Sequence, residues 1–299
     1  MSDHDTRARA NRAGILAMVA AMGFFVVNDT LVKVVSQSLP AAQLIFIRSA
    51  MASLLVLTVV LATGARSHIR EIGRGWVLVR AGLDAVSTLL FLVSLFHLPI
   101  ATATSIISSA PLVIALLAAF TLGERVPAAV WLATAAGFGG VLMIVQPDAG
   151  ALNPYAAVCF ASTCIVAVRD LITRRVRDAV PSIVITLSTA LAVTLLALVL
   201  SAFEGWRPIG ARDLAMLAAA AICLAGAYVM IVRSTRRGDL SVVGPFRYSQ
   251  LLFAVVVGYL VWGDVPNPLA WCGLALLVVS GVHVLRASRR PGVSSRPGD

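Results

Sequence analysis

The chain has 299 residues, of which 59% are hydrophobic and only 13% are charged, and its formal net charge is +10. Soluble domains are nearer half apolar and a quarter charged, so this composition excludes an ordinary soluble protein and indicates a membrane protein. The arginines stand at the ends of apolar runs, where they set membrane orientation, so the positive charge does not indicate nucleic-acid binding.

Ten apolar runs follow one another along the chain, each long enough to cross a hydrocarbon core of about 30 Å as a helix. The division between the third and fourth runs rests on His97-Leu98-Pro99, because a helix tends to end before a proline. The sequence therefore predicts an all-α polytopic protein with ten transmembrane helices, flanked by tails over 1–13 and 287–299. The predicted spans are 14–35, 41–62, 76–97, 100–121, 128–146, 153–170, 182–203, 212–232, 241–262 and 267–286.

The arginines outside the spans test this division. If the N-terminus is cytoplasmic and the loops alternate between the two sides, the cytoplasmic segments contain 17 arginines and the opposite segments contain 2, Arg207 and Arg212. Because positive residues accumulate in cytoplasmic loops, this distribution predicts a multi-pass protein of the bacterial inner membrane with both termini in the cytoplasm. Merging two spans would place basic loops on both sides.

Two loop segments match at a constant offset of 140 residues, and each lies between two apolar spans. This match divides the chain into units of five spans, over 14–146 and 153–286. A unit with an odd number of spans enters the membrane from the opposite side the second time, so we expect two inverted five-helix repeats. Secondary transporters often have this plan, with the substrate site between the halves; a duplicated scaffold with another task is the alternative. The matching pairs are Gly123 with Gly263, Glu124 with Asp264, and Trp131 with Trp271.

Charged residues within the spans are the first candidates for a site, because an ion at mid-bilayer costs about 3 kcal/mol or more unless it finds a partner. Asp29 and Lys33 share a helix face, as do Arg80 and Asp84, and pairing that only neutralises charge is the alternative for both pairs. Arg48 and Arg247 have no such neighbour, so they are candidates to anchor other helices or an anionic group of a substrate. We expect Asp29, Lys33 and Arg48 at the outer mouth of a central cavity, and Arg80, Asp84 and Arg247 at the inner mouth.

Prolines interrupt the fourth and ninth spans at equivalent places in the two halves. Gly244-Pro245 should bend or break the ninth helix, where Phe246 and Tyr248 offer rings and Arg247 and Gln250 offer hydrogen bonds. In the fourth span, hydroxyl residues precede Pro111. Broken helices in corresponding positions indicate a binding site, whereas close helix packing is the alternative role of small hydroxyl residues. These hydroxyl residues are Thr102, Thr104, Ser105, Ser108 and Ser109.

The sequence contains no HExxH, GxSxG, Walker or GxGxxG motif, and its four cysteines lie inside apolar runs without a CxxC pair. We therefore predict no enzyme activity, no cofactor and no metal site, and transport that uses gradients or exchange rather than bound ATP. Asp29 and Asp84 are the candidates for proton coupling. An integral-membrane enzyme or a non-transporting scaffold is the alternative class. An enzyme would need a catalytic dyad, and the histidines His97 and His283 are isolated from each other.

The two five-span units, the Leu122-Gly-Glu-Arg segment after the fourth span and Phe46-Ile47-Arg48 in the second resemble the EamA branch of the drug/metabolite transporter superfamily. The resemblance covers residues 14–287. It implies a carrier whose partners are a small-molecule substrate and the lipid bilayer, and it leaves the oligomeric state open.

Three shorter stretches are similar to bacterial members assigned as riboflavin importers or S-adenosylmethionine uptake carriers: Asn28-Asp29-Thr-Leu-Val-Lys33, Pro245-Phe-Arg-Tyr248 and Trp262-Gly-Asp264. This likeness implies uptake of a flavin-like or nucleoside-like substrate, held between aromatic and arginine side chains. Exporters of amino acids and other metabolites belong to the same group, so export is the alternative. The candidate substrate-binding or gating residues are Asn28, Asp29, Lys33, Arg48, Arg80, Asp84, Ser105, Ser108, Phe246, Arg247, Tyr248 and Gln250.

Overall fold

The computed structural model describes residues 3–122, 128–146, 153–173, 175–176, 180–237 and 240–287, and these residues form helices with no strand among them. Ten helices are long and apolar enough to cross a membrane, so the prediction of ten spans is confirmed. Helix α1 begins within the predicted tail 1–13 and continues without a break into the first span. The loop match between the halves uses Gly123 and Glu124, which lie outside the described residues.

The first five helices have the following bounds: α1 Asp3–Val35, α2 Ala41–Ala62, α3 Gly75–His97, α4 in two pieces Ile100–Ser108 and Ala110–Leu122, and α5 Ala128–Val145. A short 3-10 helix, Ala65–Glu71, lies between α2 and α3. The second five are α6 Pro154–Thr173, α7 Ser182–Ser201, α8 Ala211–Arg237, α9 and α10 Pro268–Ala287. Helix α9 consists of Leu240–Val243, the 3-10 turn Gly244–Tyr248 and the long piece Ser249–Trp262.

Side-chain contacts at the two ends of the bundle show that successive helices run antiparallel. At one end, Gln43 exchanges two hydrogen bonds of 2.8 and 2.9 Å with the backbone of Arg207, and Gln146 pairs with Asn267 at 2.7 Å. We call this end the far face. At the other end, Ser234 donates a hydrogen bond of 2.7 Å to the carbonyl of Gly14. That end also has the arginine-bearing loop between α2 and α3, and we call it the basic face.

The helix pairings repeat with inverted order between the halves, as expected if α1 corresponds to α6 and α3 to α8. Helix α1 packs along α8, and its counterpart α6 packs along α3. Helix α1 also contacts α9, whereas α6 contacts α4. The pairs α2–α7 and α5–α10 join equivalent helices of the two halves. Two inverted five-helix repeats are therefore confirmed, and the interface between them runs through the middle of the bundle.

Both proline-containing helices are interrupted, as the sequence predicts. Helix α4 breaks at Ser109, whose N–H bonds to the carbonyl of Ile106 at 3.1 Å in a 3-10 pattern. Pro111 has no N–H and cannot continue the helical ladder through this point. In α9 the residues around Pro245 form the 3-10 turn before the long piece begins. The first piece of α4 packs against the long piece of α9, so the two interrupted helices meet between the repeats.

Helix α9 ends at the far face in a glycine cap. Gly263 has a φ of 71°, a left-handed conformation that glycine adopts without steric cost. Its N–H bonds to the carbonyl of Tyr259 at 3.0 Å, and the N–H of Asp264 bonds to Gly258 at 3.1 Å. These two bonds satisfy carbonyls that the helix end would otherwise leave free. The cap fixes Asp264 immediately beyond the helix, close to the end of α1.

Candidate functional site

A buried polar group joins α1 to α2 in the half of the bundle near the far face. Arg48 is 3% exposed and donates through Nη1 to Oδ1 of Asn28 at 3.2 Å. Asn28 in turn donates through Nδ2 to Oδ1 of Asp29 at 2.9 Å, and both residues are buried. The guanidinium of Arg48 is the opposite charge that Asp29 experiences most strongly. We call Asn28, Asp29 and Arg48 the outer group.

Lys33 has other partners than the expected pairing with Asp29. Its Nζ donates to the carbonyl of Leu98, in the turn between α3 and α4, and lies 5.1 Å from the ring centroid of Trp262. Asp264 supplies its nearest opposite charge. The pairing of Lys33 with Asp29 on one helix face is therefore corrected. The amine instead points to the carbonyl of Leu98 and to the ring of Trp262 at the end of α9. Lys33 thus joins the first helix of one repeat to the ninth helix, at the far face.

A second charged group lies nearer the basic face and joins α3 to α6. Asp84 forms an ion pair with Arg169 and lies 3.8 Å from Nη1 of Arg80. Arg169 also contacts Asp170 at 2.6 Å. Arg80 donates to Thr173 at 3.0 Å and to Thr189 at 2.9 Å. We call Arg80, Asp84, Arg169 and Asp170 the inner group.

The sequence reasoning missed Arg169 and Asp170, because they stand at the end of a predicted span, where charged residues usually reach the surface. A signal for Arg169 was present. The offset of 140 residues between the halves places Arg169 at the position equivalent to Asp29. The two repeats therefore have charges of opposite sign at one position, and the inner group combines a carboxylate of the first repeat with a guanidinium of the second.

Tyr228 of α8 lies within electrostatic range of both groups. The charges of Arg48 in the outer group and of Arg80, Asp84 and Arg169 in the inner group reach it electrostatically, although no hydrogen bond among the described contacts joins it to them. Its ring packs edge-to-face on Phe25, with centroids 5.8 Å apart. Sequence reasoning missed this tyrosine. Together the outer group, Tyr228 and the inner group form one polar row along the interface of the repeats.

The interrupted helices also have buried polar groups, and some of these lack partners. Ser105 is fully buried and donates to the carbonyl of Ala101 at 2.6 Å, and Ser108 is half-buried. Among the described residues, three buried side-chain atoms have no hydrogen-bond partner: Nε of Arg48, Oγ1 of Thr104 and the hydroxyl of Tyr248. Buried polar atoms are nearly always paired, so these three atoms have hydrogen-bonding capacity that the described residues leave unused.

The strip expected on α9 does not form one surface. Tyr248 is buried and its ring contacts Gly281 of α10, and Gln250 is half-buried, whereas Phe246 and Arg247 are exposed. Successive residues of a 3-10 helix point about 120° apart, so three neighbours cannot share a face. No contact in the described part of the chain joins Arg247 to the outer or inner group. The expectation that Phe246 and Arg247 line the same strip as Tyr248 is therefore corrected.

Grooves on the surface of the described part of the chain lie away from the polar row. One, of about 390 Å³, lies between α1 and α9; the other, of about 330 Å³, lies between α2 and α7. Both are lined almost entirely by apolar side chains on the outside of the bundle. The polar row itself is packed in this conformation, with Asp29, Arg48 and Asp84 each less than a tenth exposed.

Comparisons with known proteins agree with this architecture. The sequence model of the EamA-like transporter family matches residues 12–146 and 153–286. The pseudopaline exporter CntI of Pseudomonas aeruginosa is 28% identical over 93% of this chain and 98% of its own length. The riboflavin transporter of Vibrio cholerae is 28% identical over 88% of this chain and 89% of its own length. An S-adenosylmethionine uptake transporter of Rickettsia prowazekii is 22% identical over 88% and 89%.

A solved crystal structure has the same fold. It matches with a TM-score of 0.66 and 20% identity, over 94% of this chain and 100% of that chain. This likeness supports the arrangement of the helices and carries no information about the substrate.

Proposed function

This chain belongs to the EamA-like transporter family and is a small-molecule transporter of that type, and we propose that it is a secondary carrier for a neutral or zwitterionic metabolite. The best candidate is a flavin-like or nucleoside-like compound, taken up across the bacterial inner membrane. Both termini lie in the cytoplasm in this proposal, as the arginine distribution favours. The polar row between the repeats is the proposed substrate path, with Asn28, Arg48, Tyr228 and Asp84 along it.

The observation that carries the proposal is the charge balance of the row. By formal charge, Asp29 offsets Arg48, to which it is linked through Asn28, and Asp84 and Asp170 offset the two arginines of the inner group. An additional net charge in this buried interface would lack a counter-ion and would be costly. A neutral polar molecule or a zwitterion can instead exchange hydrogen bonds with the row without disturbing the balance.

Aromatic rings and guanidinium groups in the row support a planar substrate. Tyr228 lies within electrostatic range of both groups and packs edge-to-face on Phe25, and Arg48 offers an unpaired N–H. Planar rings stack on aromatic side chains and accept hydrogen bonds from guanidinium donors. The similarity to the riboflavin transporter of Vibrio cholerae supports the same substrate class.

Export is the second candidate, and one observation favours it. The pseudopaline exporter of Pseudomonas aeruginosa resembles this chain over nearly its whole length. An inverted repeat can operate in either direction, so the direction depends on the gradient that the carrier uses. Asp29 and Asp84 are the buried carboxylates of the row and the candidates for proton coupling.

The test is uptake of labelled riboflavin by right-side-out vesicles, together with growth of a riboflavin auxotroph on low external vitamin. We expect both from the wild type, and at least a tenfold loss of uptake in Arg48→Gln, since a charge-assisted hydrogen bond contributes about 1.5–3 kcal/mol. Arg233→Gln, an exposed arginine at the basic end of α8, is the matched control and should transport normally.

Two results would decide against uptake of this substrate class. Equal riboflavin accumulation with and without the protein would exclude a flavin substrate. Faster efflux from preloaded vesicles without concentrative uptake would establish export instead. Proton coupling is tested in the same vesicles: collapse of the pH gradient should abolish concentrative uptake, whereas an unchanged rate would exclude coupling through Asp29 or Asp84.

A further inference from the structure

The groove between α2 and α7 reaches from the middle of the bundle to the basic face. It has a volume of about 330 Å³. Its one polar pair, Ser53 and Thr194, is hydrogen-bonded to itself at 3.1 Å, so the groove offers an apolar surface. The lining residues are Ala50, Ser53, Leu54 and Leu57 of α2, Ile69 and Ile72 next to it, and Leu187, Leu191 and Thr194 of α7.

The 3-10 helix Ala65–Glu71 closes the groove at the basic face. Ile69 and Ile72 form its inner side and pack against Leu187 of α7. The carbonyl of Ile72 accepts a hydrogen bond of 3.0 Å from Ser188, which fixes this segment to α7. The segment therefore lies across the end of the groove as an interfacial element, with an apolar side towards the bundle.

The same segment is also strongly basic. Arg66, Arg70 and Arg74 are exposed, and Glu71 is the one carboxylate within 65–74. A further guanidinium lies near it: Arg175 is 5.0 Å from the ring centroid of Trp76, and the neighbouring Val176 belongs to the same apolar cluster as Ile72. The segment at the end of the apolar groove thus has three exposed arginines, and Arg175 packs on Trp76 near the same apolar cluster.

We propose that this groove and its arginines form a binding site for one anionic phospholipid. An acyl chain lies in the groove between α2 and α7, and the phosphate group of the lipid contacts Arg66 and Arg70. The arrangement fits a lipid rather than a free anion, because the apolar groove and the basic rim are continuous at Ile69 and Ile72. Basic pockets between transmembrane helices bind anionic headgroups in this way. The site is separate from the polar row and does not depend on the transported substrate.

The experiment is native mass spectrometry of the purified full-length protein in a neutral detergent. Phosphatidylglycerol and phosphatidylethanolamine with identical acyl chains are added separately, since only the headgroup differs: the first is anionic and the second is zwitterionic. We expect one retained phosphatidylglycerol at concentrations where phosphatidylethanolamine does not bind. The double variant Arg66→Gln/Arg70→Gln should bind phosphatidylglycerol roughly 30-fold more weakly, equivalent to about 2 kcal/mol at about 1 kcal/mol per arginine. Arg233→Gln, on the same face, should bind as the wild type does.

A second pair of variants tests the groove independently of charge. Leu191 lines the groove, whereas Leu195, one turn further along α7, does not. Leu191→Trp should fill the groove and release the lipid, and Leu195→Trp should retain it, with both variants keeping wild-type helical content. Equal binding of the two lipids, or full binding by the double arginine variant, would overturn the proposal. Displacement of the lipid by inorganic phosphate, with no effect of Leu191→Trp, would show an anion site without an acyl-chain groove and would also overturn it.

Discussion

Asp84 of α3 and Arg169 of α6 form an ion pair that joins the two inverted repeats. The carboxylate also has Arg80 on its own helix, at 3.8 Å, but that guanidinium already donates to Thr173 and Thr189. Arg169 is therefore the principal partner of Asp84. Because α3 and α6 are neighbours along the interface of the repeats, any relative movement of the halves must break this pair or carry it along.

The ion pair between Asp84 and Arg169 should contribute strongly to the free energy of unfolding. Replacing one partner leaves a buried charge without its counter-ion, so Arg169→Gln and Asp84→Asn should each lower the free energy of unfolding by about 3–5 kcal/mol. The double variant should lose less than the sum of the single variants, because both charges are removed together. Thermal unfolding of the purified protein in detergent measures all three.

Arg80→Gln is the control for this cycle. Arg80 lies farther from the carboxylate, so its replacement should cost less than that of Arg169. Strictly additive losses for Arg169→Gln and Asp84→Asn would contradict the assignment of Arg169 as the main partner.

Removal of the unpaired hydroxyls on the interrupted helices should increase stability and reduce transport. The Tyr248 hydroxyl and Oγ1 of Thr104 are buried without hydrogen-bond partners, which costs about 1–3 kcal/mol each. Tyr248→Phe and Thr104→Val should therefore raise the melting temperature. If the hydroxyls bind substrate, the same variants should transport more slowly.

The matched control is Ser105→Ala, because that hydroxyl is already bonded within its helix. It should leave the melting temperature and the transport rate close to wild type. A variant of Tyr248 that is more stable and transports normally would remove that hydroxyl from the proposed site.

The helices and their antiparallel order were predictable from the sequence, because they depend on local properties. Runs of apolar residues determine the spans. Pro111 and Pro245 interrupt the helical hydrogen bonds regardless of what packs against them. The inverted repeat followed from an odd number of spans in each unit. These features need no knowledge of which helix packs on which, and the structure confirms each of them.

The partners of the charged residues were not predictable in the same way. Spacing along one helix suggested Asp29 with Lys33, but Asp29 pairs through Asn28 with Arg48 of the next helix. A helix face shows where a side chain points, whereas the choice of partner depends on the neighbouring helix. The predicted position of Arg247 was wrong for a related reason. The direction of its side chain around α9 depends on the 3-10 turn, which shifts side-chain directions relative to an α-helix.

Lys33 should control access from the far face. Its amine joins α1 to the α3–α4 turn and to the end of α9, and the buried Cys159 of α6 contacts the carbonyl of Ala103, further along α4 from that turn. Losing a charged hydrogen bond of about 1.5–3 kcal/mol should favour opening. In a background where the other three cysteines are serine, Lys33→Met should speed maleimide labelling of Cys159 about tenfold or more.

Ser38→Ala provides the control for this experiment. It removes another hydrogen bond at the far face, of 2.9 Å to Asp213, that does not involve α4 or α9. Labelling of Cys159 in this variant should match the wild type. Equal labelling in Lys33→Met would show that the lysine does not hold the far face closed.

The crossing of α5 and α10 should tolerate no side chain at Gly140. A Cβ there would lie 2.7 Å from the carbonyl oxygen of Gly273 and 3.1 Å from the backbone nitrogen of Leu277, so the two helix backbones would have to separate. Gly140→Ala should cost about 1–3 kcal/mol through overpacking. The adjacent Gly139 has nothing within 4 Å of an added Cβ, so Gly139→Ala should be neutral or stabilising, as alanine favours the helix. Melting temperatures in detergent compare the two. Equal effects of both substitutions would contradict the close contact between these helices, because they share helix propensity and differ only in what the added methyl group meets.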